Sequence, residues 1–202
     1  MNFFPQHIYH IYNQGNNQQQ IFFDRENYLF FINKMRNHIL PHCEILAWCL
    51  MPNHFHWLIM VKESDKNNSS YENKIKAVNP LNRSIGSLQS SYTRAINAKY
   101  NRSGSLFRAR AKAKSLSEDF SSRNNYGLNC FLYIHQNPLR AELVSKLEDW
   151  EFSSFRDYSG VRNGNIVNQE LAKDLFNLPG STEEFKKMSY KTIPSQVFGK
   201  FY

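Results

Sequence analysis

His54 and His56 flank a single aromatic residue, and much further along the chain Tyr133 and Asn137 stand four positions apart. These are residue types from which a metal-assisted nucleophile can be built. Successive side chains of a strand point to opposite faces, so His54 and His56 share one face and can approach one ion. Phe55, Trp57 and Ile59 then turn to the other face and into a core. On a helix, residues four apart face the same way, which sets the Asn137 amide beside the Tyr133 ring. A tyrosine with a pKa near ~10 is a poor nucleophile in neutral water, so Tyr133 would need a positioned cation. The amide oxygen of Asn137 could complete that cation's shell. Each residue also has a plainer explanation. His-x-His is a common tripeptide on half-exposed sheet faces, and most helix tyrosines are simply packed aromatics. His135 lies two residues past Tyr133 and points elsewhere. Spacing alone leaves both explanations standing.

The surrounding pattern says which elements would position these groups. Residues 7–12 alternate ring and aliphatic side chains and predict a first strand, closed by the turn signal Gly15-Asn16-Asn17. Asp24 can cap a helix through about residue 38, with Tyr28, Phe31, Ile32 and Met35 as its apolar stripe. Strands follow over 43–51 and 54–62, and Pro52-Asn53 between them makes an antiparallel hairpin. Residues 63–78 are polar and read as a loop or strand-edge extension. Ile85, Leu88, Tyr92 and Ile96 give a second long helix over 81–100. Residues 105–115 predict a strand with Leu106, Arg108, Arg110, Lys112 and Lys114 on one face. Phe107 and three alanines take the other. The order β-α-β-β-α-β is the ferredoxin-like α+β arrangement, an antiparallel sheet with helices on one face. A third helix over about 118–136 carries Tyr133, and Asn137-Pro138 ends or kinks it. Trp150, Phe152, Phe155 and Tyr158 are expected to dock on the body. The polar stretch from residue 160 onward has no readable role.

Composition narrows the class. A 41% hydrophobic content with 16 Phe, 11 Tyr and 3 Trp is enough for a core, which excludes wholesale disorder. The 25 Lys and Arg against 17 Asp and Glu give +8, a surplus that favours a polyanionic partner, nucleic acid above all. Cys43, Cys49 and Cys130 show no metal-type pairing, which argues against structural zinc; Cys43 and Cys49, in an apolar run, read as small buried thiols, and a reducing compartment follows. No signal peptide is evident, and the longest apolar run, 45–51, is too short to span a bilayer. The expectation is a cytoplasmic protein, nucleoid-associated when bound to DNA, with no membrane partner. The charged face of Arg108, Arg110, Lys112 and Lys114 could meet phosphates or simply be solvated. Lys99, Arg102 and Arg94 could extend it. Asn16 and Asn17 could approach unpaired bases, although turn chemistry explains them equally well.

Longer stretches carry a resemblance. Met51-Pro52-Asn53-His54-Phe55-His56-Trp57-Leu58-Ile59 resembles the signature strand of the HUH transposases, two histidines around a bulky hydrophobic residue. Tyr133-Ile134-His135-Gln136-Asn137-Pro138-Leu139-Arg140-Ala141-Glu142-Leu143-Val144 resembles the tyrosine helix of the REP-associated tyrosine transposases, single-tyrosine HUH enzymes. Residues 13–28 (NQGNNQQQIFFDRENY), Ser103-Gly104-Ser105-Leu106-Phe107-Arg108 and Trp150-Glu151-Phe152-Ser153-Ser154 are similar to that group in the same order. The matches cover roughly residues 7–158.

The resemblance implies a ferredoxin-like catalytic domain over 1–147 and a C-terminal tail over 148–202 whose first part docks on it. It implies His54 and His56 as metal ligands, Asn137 as a third, and Mg²⁺ or Mn²⁺ as cofactor. Tyr133 would attack a phosphodiester of single-stranded DNA and form a 5′-phosphotyrosine link. The released 3′-OH could later reverse the attack, which is the chemistry of DNA transposition. The implied partner is hairpin DNA with an adjacent single-stranded guide, bound by a monomer or homodimer. Relatives often carry glutamine at the fourth position after the tyrosine; here it is Asn137, whose shorter arm shifts the ion or leaves room for water. Two other classes compete: a hairpin nucleic-acid-binding protein that no longer cuts, and a metal hydrolase that uses water with Tyr133 merely structural.

Overall fold

The structure is a computed structural model that describes residues 1–63, 79–116 and 126–193. Apart from Glu63, the polar stretch expected at 63–78 lies outside the described residues, as does the expected start of the third helix near 118. β1 (Ile8–Gln14), β2 (Cys43–Met51), β3 (His54–Val61) and β4 (Lys112–Ser115) make one sheet in the order β2-β3-β1-β4. Every neighbouring pair is antiparallel. Pro52 and Asn53 form the tight turn between β2 and β3, with Met51 opposite His54. Together with α1 (Arg25–His38) and α2 (Pro80–Lys99), this is the ferredoxin-like α+β arrangement.

Local chemistry explains where the helices begin. The Asp24 carboxylate accepts from Asn27 N at 2.9 Å, and Asn79 accepts from Leu81 N at 3.0 Å with Pro80 at the first helical position. Both satisfy amides that no helical turn can reach. α1 and α2 cover one sheet face. Phe31 lies at the centre of that layer, with ring centroids 5.0 Å from Tyr92, 5.2 Å from Phe22 and 5.4 Å from Phe55.

The opposite face is covered by α3 (Tyr126–Arg140), which packs on β2 and β3. The expected end at Asn137-Pro138 is corrected: the helix runs through Pro138 to Arg140. Pro138 forgoes the bond its N–H would make to the Ile134 carbonyl, and bonding resumes beyond it, with Ala141 N on the Asn137 carbonyl and Leu143 N on the Pro138 carbonyl, both at 3.0 Å. The Asn137 amide adds a bond of its own to the Tyr133 carbonyl, at 2.9 Å.

The fourth strand is also corrected. Of the expected 105–115, only Lys112–Ser115 joins the ladder, preceded by a lone bridge from Phe107 to Gly15. Leu106 and Phe107 are both buried, so strict alternation fails and Leu106 does not share the charged face. Asn16 N donates to the Leu106 carbonyl at 3.0 Å and Arg108 N to the Gln14 carbonyl at 2.9 Å, the two bonds of that bridge, and Gln19 Nε2 also reaches Leu106 O at 2.9 Å. The bridge lies out of register with the Tyr12–Lys112 pairing, so the ladder is broken between them. Gly15 permits the turn after β1: a Cβ there would stand 2.1 Å from the Gln19 carbonyl oxygen.

The outer edge of β2 is covered by chain from further on. Leu50 N donates to Phe152 O and Ser154 N to Trp48 O, both at 2.9 Å, and Asn168 N reaches Ile45 O at 2.9 Å. The Arg162 guanidinium grips both Asp157 carboxylate oxygens and the carbonyls of Glu151 and Ser153, and it lies over the Trp48 ring. These bonds close an edge that would otherwise be open to another strand. Three short helices follow, α4 (Phe155–Tyr158), α5 (Gln169–Phe176) and α6 (Thr182–Ser189), which bury Phe155, Tyr158, Phe176 and Phe185. Replacing Phe31 with Ala should lower the unfolding free energy by about 3–5 kcal/mol. The half-exposed Phe23→Ala should cost under ~1 kcal/mol. Urea denaturation compares them, and similar losses would place the core elsewhere.

Candidate active site

The β1–β3 register sets Tyr12 opposite His56 and Gln14 opposite His54. Side chains directly opposite share a face, so Tyr12, His54, His56 and, by alternation, His10 all project toward α3. The His54 and His56 rings are 5.0 Å apart at 84°. Tyr133 descends from α3 with its ring 5.6 Å from His56 and 6.3 Å from His10, edge-on to both. Tyr133, His10 and His56 are almost wholly buried. Asn137 lies one turn on, against His54.

Donor orientations follow from the hydrogen bonds. His54 Nδ1 is 2.7 Å from Asn53 Oδ1, and an amide oxygen only accepts, so that nitrogen carries the proton. The lone pair of His54 is therefore on Nε2, which is buried without a hydrogen bond of good geometry. One N–H of the Asn137 amide donates to the Tyr133 carbonyl, and the same side chain lies against His54. That proximity favours positive charge on the ring. A buried imidazole lone pair and an amide oxygen are both electron-pair donors. A divalent cation satisfies both at once.

Burial keeps these rings neutral. It lowers the His54 pKa to about 4 against the opposing effect of Asn137. Burial, with the charge of Lys114 second, lowers His10 to about 3. His56 is pushed well below its ordinary value by burial and by its two histidine neighbours. Neutral imidazole is the metal-binding form. Among the described residues there is no cluster of three or more His, Cys, Asp or Glu side chains fit to hold a metal. Any ion here would be held by two imidazoles, the amide and non-protein oxygens.

The basic residues divide into two sets. Lys112 lies opposite Tyr12 and Lys114 opposite His10, so both belong to the same face as the histidines. Lys112 is exposed with Nζ 5.8 Å from the Tyr12 ring, and Lys114 Nζ is 4.9 Å from the Tyr126 ring. Arg108 and Arg110 are exposed on the segment before β4, outside the ladder. Lys99 pairs with Asp24 at 2.6 Å, and Arg102 bonds Gln19 and lies over Phe23. Asn16 opens a short 3-10 turn, and exposed Asn17 holds a left-handed φ of 50°.

His10 is the residue that sequence reading missed. A polar residue at an interior alternate position of a central strand was the available signal, but only the β1–β3 pairing reveals its neighbour. His135 faces away from the site and bonds Ser154 Oγ at 2.7 Å.

The same architecture occurs among solved structures. A structure of the REP-associated tyrosine transposase bound to a REP hairpin superposes with a TM-score of 0.54 at 18% identity, covering 83% of this chain and 92% of that one. This chain has that fold. A bacterial tRNA(His) guanylyltransferase-like protein in complex with ATP aligns at a TM-score of 0.40 and 13% identity, over 92% of this chain and 75% of that one. That likeness is too low to bear on function. No family model and no curated protein matches the sequence. Among the described residues no helix is long and apolar enough to cross a membrane.

Neutral buried histidines make stability depend on acid. His10, His54 and His135, the last also lowered by burial to about 3, take up protons in the unfolded chain below about pH 6.5 but not in the folded one. Stability is full above that value and is lost as pH falls toward the folded values, by up to about 1.4 kcal/mol per pH unit for each ring. Urea unfolding at about pH 7 and about pH 5 should differ by several kcal/mol. A flat profile over that window would contradict the burial of neutral rings.

Proposed function

We propose that the protein is a single-tyrosine HUH transposase of the REP-associated kind, which cuts and rejoins single-stranded DNA through Tyr133. The observation that carries this reading is the placement of the Tyr133 ring 5.6 Å from His56, with His54 beside it, on the fold shared with a hairpin-bound transposase.

His54 and His56, with the Asn137 oxygen, would hold a divalent cation. Mn²⁺ suits a donor set of two imidazoles and one oxygen, and Mg²⁺ would need phosphate and water oxygens to fill its shell. When bound, the ion polarises a phosphodiester oxygen and stabilises the charge that develops on it. Tyr133 Oη gives up its proton and attacks phosphorus; the P–O3′ bond breaks, leaving a 5′-phosphotyrosine and a free 3′-OH. Attack by a 3′-OH on that linkage restores the phosphodiester and returns Tyr133, so rejoining needs no external energy source. Tyr133 and His56 are closed off from solvent, so a DNA strand would reach them only once the covering side chains part.

The partner in this reading is hairpin DNA with a neighbouring single-stranded guide. Lys112 and Lys114, on the face of the site, would attract the phosphates near the cut, and Arg108 and Arg110 those further away. Asn16 and Asn17, exposed or partly so at the turn beyond β1, would lie near unpaired bases. Residues 1–147 would form the catalytic domain and 148–202 a docked tail.

The test is a denaturing gel of purified protein with end-labelled hairpin DNA and Mn²⁺ or Mg²⁺. Label on the 3′ side of the break, in the fragment whose 5′ phosphate Tyr133 holds, should comigrate with wild-type protein and do so no longer with Tyr133→Phe. Cutting that persists in Tyr133→Phe would make water the nucleophile. Firm binding of several hairpins without any cutting would make this a binding protein.

A further inference from the structure

The chemistry proposed above leaves one buried group at the site unused. His10 Nε2 lies 2.9 Å from His56 Nδ1, with the two rings 5.0 Å apart and only 20° from parallel. The strand register makes them diagonal neighbours, since His56 is opposite Tyr12 and His10 opposite Leu58. A diagonal pair meets only when both side chains are long enough to lean together. Two neutral imidazoles can share such a bond in two ways. If His10 donates, His56 holds its proton on Nε2 and has no lone pair there for an ion. If His56 donates, its Nε2 carries the lone pair.

We propose that His10 is a positioning residue that accepts the His56 Nδ1–H, fixing the ring and its tautomer so that Nε2 is the electron-pair donor beside His54. This rests on the cation reading above. His54 supplies the parallel, because Asn53 Oδ1 fixes the same tautomer from the same ring atom. Both histidines are then held by Nδ1 and both offer Nε2. The hydrogen-bond partner of a metal-bound imidazole orients it and raises its basicity, and its loss typically costs about 10–100-fold in affinity. His10 differs from the Asn53 amide in one respect. Its Nε2 accepts only while its own proton is on Nδ1, so the tautomers of the two rings are tied together.

Two readouts on the full chain test this. Long-range ¹H–¹⁵N spectra of metal-free, histidine-labelled protein near neutral pH should show His56 protonated on Nδ1 with Nε2 bare. A proton on Nε2 would overturn the assignment, whatever the protein does with metal. Calorimetric titration with Mn²⁺ should show about 10–100-fold weaker binding for His10→Phe, which keeps a ring but no acceptor. His10→Gln, whose oxygen can accept, should recover most of it. A purely packing role predicts the opposite: His10→Phe would bind Mn²⁺ like wild type and His10→Gln would gain nothing. If His10→Phe fails to fold, the wild-type spectrum and His10→Gln still decide. Wild type that binds no Mn²⁺ while His56 is protonated on Nδ1 would fail the cation reading and leave the His10–His56 bond in place.

Discussion

Buried imidazole nitrogens need partners, and this requirement organises the α3 side of the sheet. One face of the sheet is ordinary core, with Phe55 and Trp57 meeting Phe31 under α1 and α2. The other carries His10 and His56 in full burial under α3, with His54 at the end of the same row. Leaving such groups unsatisfied costs several kcal/mol. The fold meets part of that requirement internally, through Asn53 on His54 and His10 on His56. What remains at His54 is a buried Nε2 beside the Asn137 amide, a polar environment that suits a cation better than an apolar side chain.

The elements around the site exist to hold that row in register. The Pro52-Asn53 turn fixes both the start of β3 and the His54 tautomer. Its carbonyls are held in turn by Gly15, Ile21 and Phe22 amides from the loop after β1. On the far side, Ser154 Oγ accepts from Trp48 N and bonds His135, tying β2, α3 and the following segment at one point. α3 is thereby clamped through His135, on the side away from Tyr133. Residues 150–168 that read as a tail in sequence serve as the missing edge of the sheet.

How much of this was legible depended on whether the signal was local. The β2–β3 hairpin and both long helices followed from periodicity, a proline turn and the Asp24 cap, all contained within short windows. The fourth strand is shorter than its alternation suggests because the Gly15–Phe107 bridge and the Tyr12–Lys112 pairing differ in register, a tertiary fact that no short window carries. The helix end expected at Asn137-Pro138 moves to Arg140 because amides further on, Ala141 and Leu143, find the Asn137 and Pro138 carbonyls, which the residue type alone does not reveal. At the site, His54, His56, Tyr133 and Asn137 were visible as spacings, and the structure brings them together from β3 and α3. His10 showed only as a polar residue inside a strand, since its meaning arises from diagonal pairing across two strands. The tautomers too are tertiary facts.

The central claim is that His54, His56 and Asn137 form a cation site directly beneath Tyr133. Anomalous diffraction from crystals equilibrated with Mn²⁺ addresses it without dependence on turnover or on the right DNA. The account predicts a single strong peak within bonding distance of His54 Nε2 and His56 Nε2, with the Asn137 oxygen facing it and Tyr133 Oη nearby. A strong peak elsewhere, or none at saturating Mn²⁺, would contradict it and return the histidine row to a purely structural role.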